Sequence, residues 1–253
     1  MGLYKGDCFD YFKTLDNESI DLVFTDLPYG TTNCKWDTIL DLDLMWRELD
    51  RLVKDNTPIL FTASQPFTST LVSSNFEWFR HEWIYQKIAG SNFAQAKYQP
   101  MKEHESVLVF GRKKPNYYPI KEERRGSGSQ RAKYKYSDKS RKAVGEFISS
   151  GINEGTYNNK KDSGNEKLRY PSSVQLFNNR AKGDRGLHPT QKPLAMVEYF
   201  IKTYSQEFDS VLDFTFGSGT TALACQKQNR HFYGSELDQK YYDITVERLC
   251  NTD

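Results

Sequence analysis

Three short apolar runs constrain this chain most: Ile20 to Thr25, Pro58 to Ala63 and Ser106 to Phe110. Runs of this length, rich in β-branched and aromatic residues, read as strands buried on both faces. Between the first two, Leu42, Met45, Trp46, Leu49, Leu52 and Val53 recur at helical spacing with charges on the opposite side. His81 to Gln86 is a weaker strand candidate. Strand–helix–strand alternation favours a parallel sheet with crossover helices.

The pattern resumes from His188. Leu194, Val197, Phe200 and Ile201 share one helical face, and Val211 to Phe214 reads as a strand. A glycine turn then opens a helix from about Thr220 to Lys227; His231 to Gly234 is another strand, and a helix from about Gln239 to Leu249 closes the chain. The simplest assembly is a single doubly wound sheet built from both flanks.

Between Gly111 and Gly186 the periodicity vanishes. This stretch holds 19 lysines and arginines against 8 aspartates and glutamates, whereas the rest of the chain holds 16 against 25. An acidic body carrying a basic segment implies an acidic partner for that segment. Tyr117, Tyr118, Tyr134, Tyr136, Tyr157 and Tyr170 interleave the cations. Cations for phosphates and rings for bases are the composition of a nucleic-acid contact region. A solvated, disordered insertion has a similar composition, and composition leaves both readings open.

No apolar run approaches the roughly 18 residues of a membrane span, and the first residues lack the layout of a signal peptide. Cys8, Cys34, Cys225 and Cys250 are scattered, without a metal-ligand spacing. These features lead us to expect a cytoplasmic protein with no membrane association and no metal.

Two places carry chemistry. In Val211 to Thr221 a strand runs into a turn containing Gly217 and Gly219, followed by hydroxyl residues suited to start a helix. Glycines there let a ligand lie against backbone N–H groups. The third glycine of a dinucleotide fingerprint and the lysine of a P-loop are both missing. Glu236, at the end of the next strand, stands where a carboxylate can accept from ribose hydroxyls. The second place is Thr25 to Gly30, at the carboxyl end of a strand, where parallel sheets bind ligands. Asp26, Pro28 and Tyr29 also suit an ordinary turn, and the residues alone leave that alternative standing.

Together these motifs resemble those of the β group of amino-group DNA methyltransferases. Asp26-Leu27-Pro28-Tyr29 resembles the family's Asp-Pro-Pro-Tyr catalytic motif, and Asp213 to Thr221 its Asp-Pro-Phe-x-Gly-Ser-Gly-Thr cofactor motif. His188-Pro189-Thr190-Gln191-Lys192-Pro193 is similar to its His-Pro-Thr-x-Lys-Pro element, and Gly6-Asp7 to the Gly-Asp near the cofactor adenine. The resemblance implies a Rossmann-like α/β fold dependent on S-adenosylmethionine. Its sheet is doubly wound and mostly parallel, with circularly permuted motif order and an inserted recognition lobe. The corresponding divisions are a catalytic half at 1–110, a target-recognition insertion at 111–186 and a cofactor-binding half at 187–253.

The implied reaction is site-specific methylation of adenine N6 in duplex DNA. Asp26 and the main-chain carbonyl of Leu27 would grip the amino protons, Pro28 would stiffen the turn, and Tyr29 would stack on a flipped base. Asp7 would lie near the adenine of the cofactor, Glu236 at the ribose and Asp213 at the methionine ammonium. Phe216, Gly217, Gly219 and Thr220 would cradle the methionine end, with Lys192 at its carboxylate. Leu27 and Phe214 replace two prolines of the family pattern; at Leu27 the implied contact is a carbonyl that every residue has. Cytosine N4 is the rival target, disfavoured because the family's cytosine enzymes mostly carry serine where Asp26 stands. An RNA amino-methyltransferase, a catalytically silent DNA-binding subunit and, most remotely, a nucleotide-dependent oxidoreductase are the further alternatives. A homodimer and a cognate restriction endonuclease are further partners compatible with the resemblance.

Overall fold

The structure is a computed structural model and describes residues 2–30, 38–123, 168–181 and 186–251. It divides into two compact units, one of residues 1–118 and 172–253, the other of residues 119–171.

The larger unit is built on an eight-stranded sheet. Its strands are β1 (Gly2–Lys5), β2 (Leu22–Asp26), β3 (Ile59–Ala63), β4 (Phe79–Ser91), β5 (Lys102–Phe110), β8 (Val174–Phe177), β9 (Ser210–Asp213) and β10 (His231–Glu236). Their order is β1-β10-β9-β2-β3-β5-β4-β8. The run from β1 to β3 is parallel throughout, β5 is antiparallel to both neighbours, and β8 lies parallel to β4. The helices are α1 (Cys8–Phe12), α2 (Leu42–Leu52), α3 (Phe67–Ser74), α4 (Leu194–Tyr204), α5 (Thr220–Lys227) and α6 (Gln239–Cys250). This is the mostly parallel α/β sheet expected from the alternating pattern. Among the described residues no helix is long and apolar enough to cross a membrane.

Residue alternation along the strands produces two cores. Val23, Ile59, Phe61, Leu108 and Phe110 point to one face, where α1, α2 and α3 contribute Phe12, Trp46, Leu49 and Leu71. Their immediate neighbours Leu22, Phe24, Leu60, Val107 and Val109 point to the other, against Val197, Phe200 and Ile201 of α4 and Ala222 and Cys225 of α5. A strand with apolar side chains on both faces can only sit between two helix layers. The capping aspartates are local: Asp41 accepts from the Leu44 N–H at 3.0 Å to start α2, and Asp238 from Lys240 N–H at 2.8 Å to start α6.

Three elements of the larger unit were not expected: β1, α3 and β8. The second of these is composed of Phe-Thr-Ser-Thr-Leu-Val-Ser-Ser, poor helix formers that tertiary packing of Phe67 and Leu71 holds in place. Finding β8 corrects the expectation that periodic structure is absent from 111 to 186. Its Gln175 and Phe177 face inward and it edges the main sheet, so the smaller unit is narrower than the expected insertion. Tyr117 packs with Tyr204 and Trp83 in the larger unit, at centroid distances of 5.6 and 6.4 Å.

Within the smaller unit, β6 (Glu122–Glu123) pairs antiparallel with β7 (Leu168–Arg169), with an Arg169–Glu122 ion pair at 3.1 Å. Residues 124–167 and 182–185 of the basic segment, including Tyr134, Tyr136 and Tyr157, lie outside the described residues.

Phe61 is fully buried on the sheet face that α1, α2 and α3 cover. Phe61→Ala should therefore cost about 3–5 kcal/mol, read as a lowered urea midpoint at unchanged slope.

Candidate active site

The carboxyl ends of β1, β10, β9 and β2 open into one cavity of about 420 Å³. That is within the usual range of small-molecule sites, roughly 300–1,000 Å³. Gly6 and Asp7 follow β1, Asp26 to Pro28 follow β2, Asp213 to Ser218 follow β9, and Glu236 ends β10; all line it, with His188 and Lys192. Residues nearly two hundred positions apart thus meet because their strands are parallel neighbours.

Asp26 is the most heavily engaged group. Its Oδ1 accepts from the Tyr29 hydroxyl at 2.7 Å and from the Thr62 hydroxyl. Its Oδ2 lies 2.5 Å from Lys192 Nζ. The chain of charge continues: Lys192 stands 3.4 Å from Glu105 Oε2, and Glu105 Oε1 is 2.5 Å from Lys87 Nζ. Four largely buried charges alternate in sign. Burial opposes the charge on Lys192, but Asp26 and Glu105 hold its ammonium well above the ordinary lysine value. Burial likewise pushes the Glu105 carboxyl up, and Lys192 and Lys87 outweigh it, holding it at about 2. Tyr29 is raised well above the ordinary phenol value by burial and by Asp26, so it remains a neutral donor.

The opposite wall is formed by Asp213, Glu236 and the glycine turn. Asp213 is only 3% exposed and accepts from the Thr25 hydroxyl at 2.6 Å and the Thr215 N–H at 3.3 Å. These donors are uncharged, and burial raises its carboxyl to about 6. Glu236 accepts from the N–H groups of Gly217 and Asp238, each at 2.8 Å. Two bonds leave a carboxylate about two further acceptor positions. Gly217 and Gly219 have φ of 53° and 75°, left-handed conformations that glycine adopts without strain. Gly219 is also the N-cap of α5, and a Cβ there would lie 2.4 Å from Thr245 Cγ2.

The structure brings Asp7, Asp26, Leu27, Pro28, Lys192, Asp213, Phe216, Gly217, Thr220 and Glu236 to the one cavity. Gly219 lies just behind it at the start of α5. Three placements differ from the simplest expectation. Lys192 holds Asp26 and Glu105. Tyr29 stacks on Phe67, centroids 5.3 Å apart, and is not part of the lining. Leu27 is a core residue, 3% exposed, so burial anchors the turn where the family pattern has a rigid ring. Sequence reasoning missed Glu105, Lys87 and Thr62. The one available signal was a charged pair of residues, Glu105 and Lys87, within otherwise strand-like runs.

Comparison with known proteins accords with this geometry. The DNA methylase family profile matches residues 20–247. The type II methyltransferase M.HinfI of Haemophilus influenzae is 26% identical over 281 residues, 98% of this chain and 67% of that protein. M1.MboII of Moraxella bovis, also a type II methyltransferase, is 26% identical over 253 residues, 94% of this chain and 92% of that protein. Among solved structures, the M1.HpyAVI–SAM complex superposes with a TM-score of 0.64 at 21% identity, covering 98% of each chain. PvuII DNA methyltransferase, described as cytosine-N4-specific, gives 0.67 at 13% identity, covering 99% of this chain and 86% of that one. These last two likenesses establish the fold.

Removing Lys192 leaves two buried carboxylates short of a cation. Lys192→Met should destabilise the protein by about 3–5 kcal/mol at pH 7, measured by urea unfolding. The Glu105 carboxyl is depressed from 4.5 to about 2, so its stabilisation is present above pH 4.5 and lost as pH falls toward 2. In the variant that acid-side loss should shrink, which unfolding curves at pH 7 and pH 3 would show.

Proposed function

This chain belongs to the DNA methylase family, and on that premise we propose that it methylates the N6 amino group of adenine in duplex DNA, using S-adenosylmethionine. The observation that carries the reading is the convergence of Asp26, Leu27 and Pro28 with the Asp213–Glu236 wall on one cavity. Asp26 favours adenine, since by the resemblance the family's cytosine enzymes mostly carry a serine at that position.

The cavity suits the cofactor. Asp213 is a buried carboxylate served only by hydroxyl and amide donors, so an ammonium group would complete its charge balance. Glu236 retains acceptor capacity for ribose hydroxyls, and Asp7 sits at the far end beside Gly6 and Cys8. Phe216, Gly217 and Thr220 would lie along the methionine portion, with Gly219 fixing the turn. When bound, the cofactor supplies an electrophilic methyl group on a sulfonium centre.

The protein's task is then orientation and electrostatics. The adenine amino lone pair is delocalised into the ring, so the nitrogen is a poor nucleophile. An acceptor gripping one N–H draws that nitrogen toward tetrahedral geometry. Three donors already occupy Asp26, and a carboxylate has about four acceptor positions. One position remains for the amino proton, and Tyr29, Thr62 and Lys192 fix where it points. The Leu27 carbonyl is assigned the second proton. A duplex buries this amino group, so the base must be flipped out to reach Asp26.

Cytosine N4 presents the same amino geometry, and the cytosine-N4-specific PvuII enzyme shares the fold. Label transferred from S-adenosylmethionine to mixed-sequence duplex DNA should therefore be recovered by nucleoside analysis as N6-methyladenine. Recovery as N4-methylcytosine would keep the mechanism and overturn the base; no label in DNA would overturn the function.

A pH dependence follows from Asp213. Its carboxyl titrates at about 6 and would have to be ionised to hold an ammonium group. Cofactor affinity should be level above pH 7 and fall by up to about tenfold per pH unit below 6. Asp213→Asn should bind more weakly and lose that dependence, as titration calorimetry between pH 5 and 8 would show.

A further inference from the structure

The hairpin formed by β4 and β5 overhangs the edge of the sheet on which the cavity opens. Asp26 is in register with Thr62, Thr62 with Val107 and Val107 with Trp83, which fixes the level of the catalytic carboxylate across four strands. β3 stops one residue beyond this level, at Ala63, whereas β4 runs on to Ser91. β4 is bulged between Gln86 and Ser91, so the length is read on β5: from Ser106, opposite Ala63, to Lys102 is four residues, on the order of 13 Å at about 3.3 Å per residue. That exceeds the depth of the DNA major groove, roughly 8.5 Å.

The tip is built unlike an ordinary surface turn. Phe93 is 83% exposed and Tyr98 90% exposed. Two large rings left in water on one turn mark a contact surface. Between Ile88 and His104 the charged residues are Lys97, Lys102 and Glu103, a small positive excess suited to a polyanion. Below the tip, by contrast, the arm is fixed. The Asn179 side chain accepts from the Ala89 N–H at 3.2 Å and donates to its carbonyl at 3.0 Å. Lys87 and Glu105, nearer its root, belong to the charge chain that ends on Asp26.

We propose that this arm is a DNA-contacting element separate from the basic segment, placing Phe93 and Tyr98 against the duplex beside the target base. Extrusion of a base leaves unstacked neighbours, and aromatic or apolar side chains inserted at such steps replace the lost stacking. The anchored root sets the distance between the rings and Asp26, so the arm positions the extruded base as well as binding its flanks. This inference rests on the proposed function, because only an enzyme acting on a base within a duplex needs such an arm.

The test is methyl transfer to subsaturating mixed-sequence duplex DNA by the parent, Phe93→Ser, Tyr98→Ser and the double variant. Each ring contributes roughly tenfold through stacking, so kcat/KM for DNA should fall about tenfold in each single variant and further in the double. Cofactor affinity and the unfolding midpoint should stay at parent values, since both rings are solvent-exposed. Variants that match an active parent overturn the arm while leaving the proposed function intact. A parent inactive on DNA overturns both. Variants that match the parent on DNA but lose a dimer in sedimentation identify the tip as a contact between copies, which also overturns the proposal.

Discussion

The ion pair between Lys192 and Asp26 is the contact on which the site depends. It joins groups 166 residues apart in sequence and ties the start of α4 to the carboxyl end of β2. A lone buried charge is costly, whereas an alternating row of four distributes that cost. Lys87, Glu105, Lys192 and Asp26 form such a row, so β4, β5, β2 and the segment before α4 are coupled through electrostatics as well as packing. The Thr25–Asp213 hydrogen bond at 2.6 Å makes the same join between β2 and β9. The two flanks of the chain are thereby assembled into one cavity.

This arrangement explains why the motif order along the chain is immaterial to the chemistry. What matters is that β1, β10, β9 and β2 are parallel neighbours, so that their carboxyl ends fall on one edge. A crevice at that edge is where open α/β sheets bind ligands. Each wall then takes its character from its first loop residues: a triply hydrogen-bonded carboxylate after β2, and a buried carboxylate with neutral donors after β9. One is preset as an acceptor, while the other lacks a cation. On the proposed function, a substrate amino group and a cofactor ammonium group would be the complementary partners.

Much of the fold was legible because burial on both faces leaves a strong mark. Ile20 to Thr25 and Ser106 to Phe110 are continuous apolar runs, and Leu42 to Val53 is strongly amphipathic; all three were read correctly as elements. Edge and short elements leave weaker marks: β1 and β8 have four residues each, and α3 is a serine- and threonine-rich helix held by Phe67 and Leu71. Of the candidate site, Glu236 was marked by its place at a strand end beyond the glycine turn, whereas Asp26 had an ordinary turn as its alternative and Asp213 entered only through the family resemblance. Glu105 and Lys87 were not legible, since their pairing depends on the cross-strand register of β4 and β5, which no local pattern encodes. Likewise, nothing in the His188–Pro193 element disclosed that Lys192 turns toward Asp26.

The central claim is that methyl transfer depends on the Asp26 carboxylate as an oriented acceptor. The most direct measurement is single-turnover transfer to duplex DNA by Asp26→Asn, with cofactor affinity measured on the same protein. Asparagine keeps the shape but weakens the acceptor and the hold of Lys192. The account requires near-parent cofactor affinity and a transfer rate lower by about a hundredfold or more, the scale for losing one oriented polar group in a closed site. A rate within a few fold of the parent would contradict it, and the role of Asp26 would then be structural.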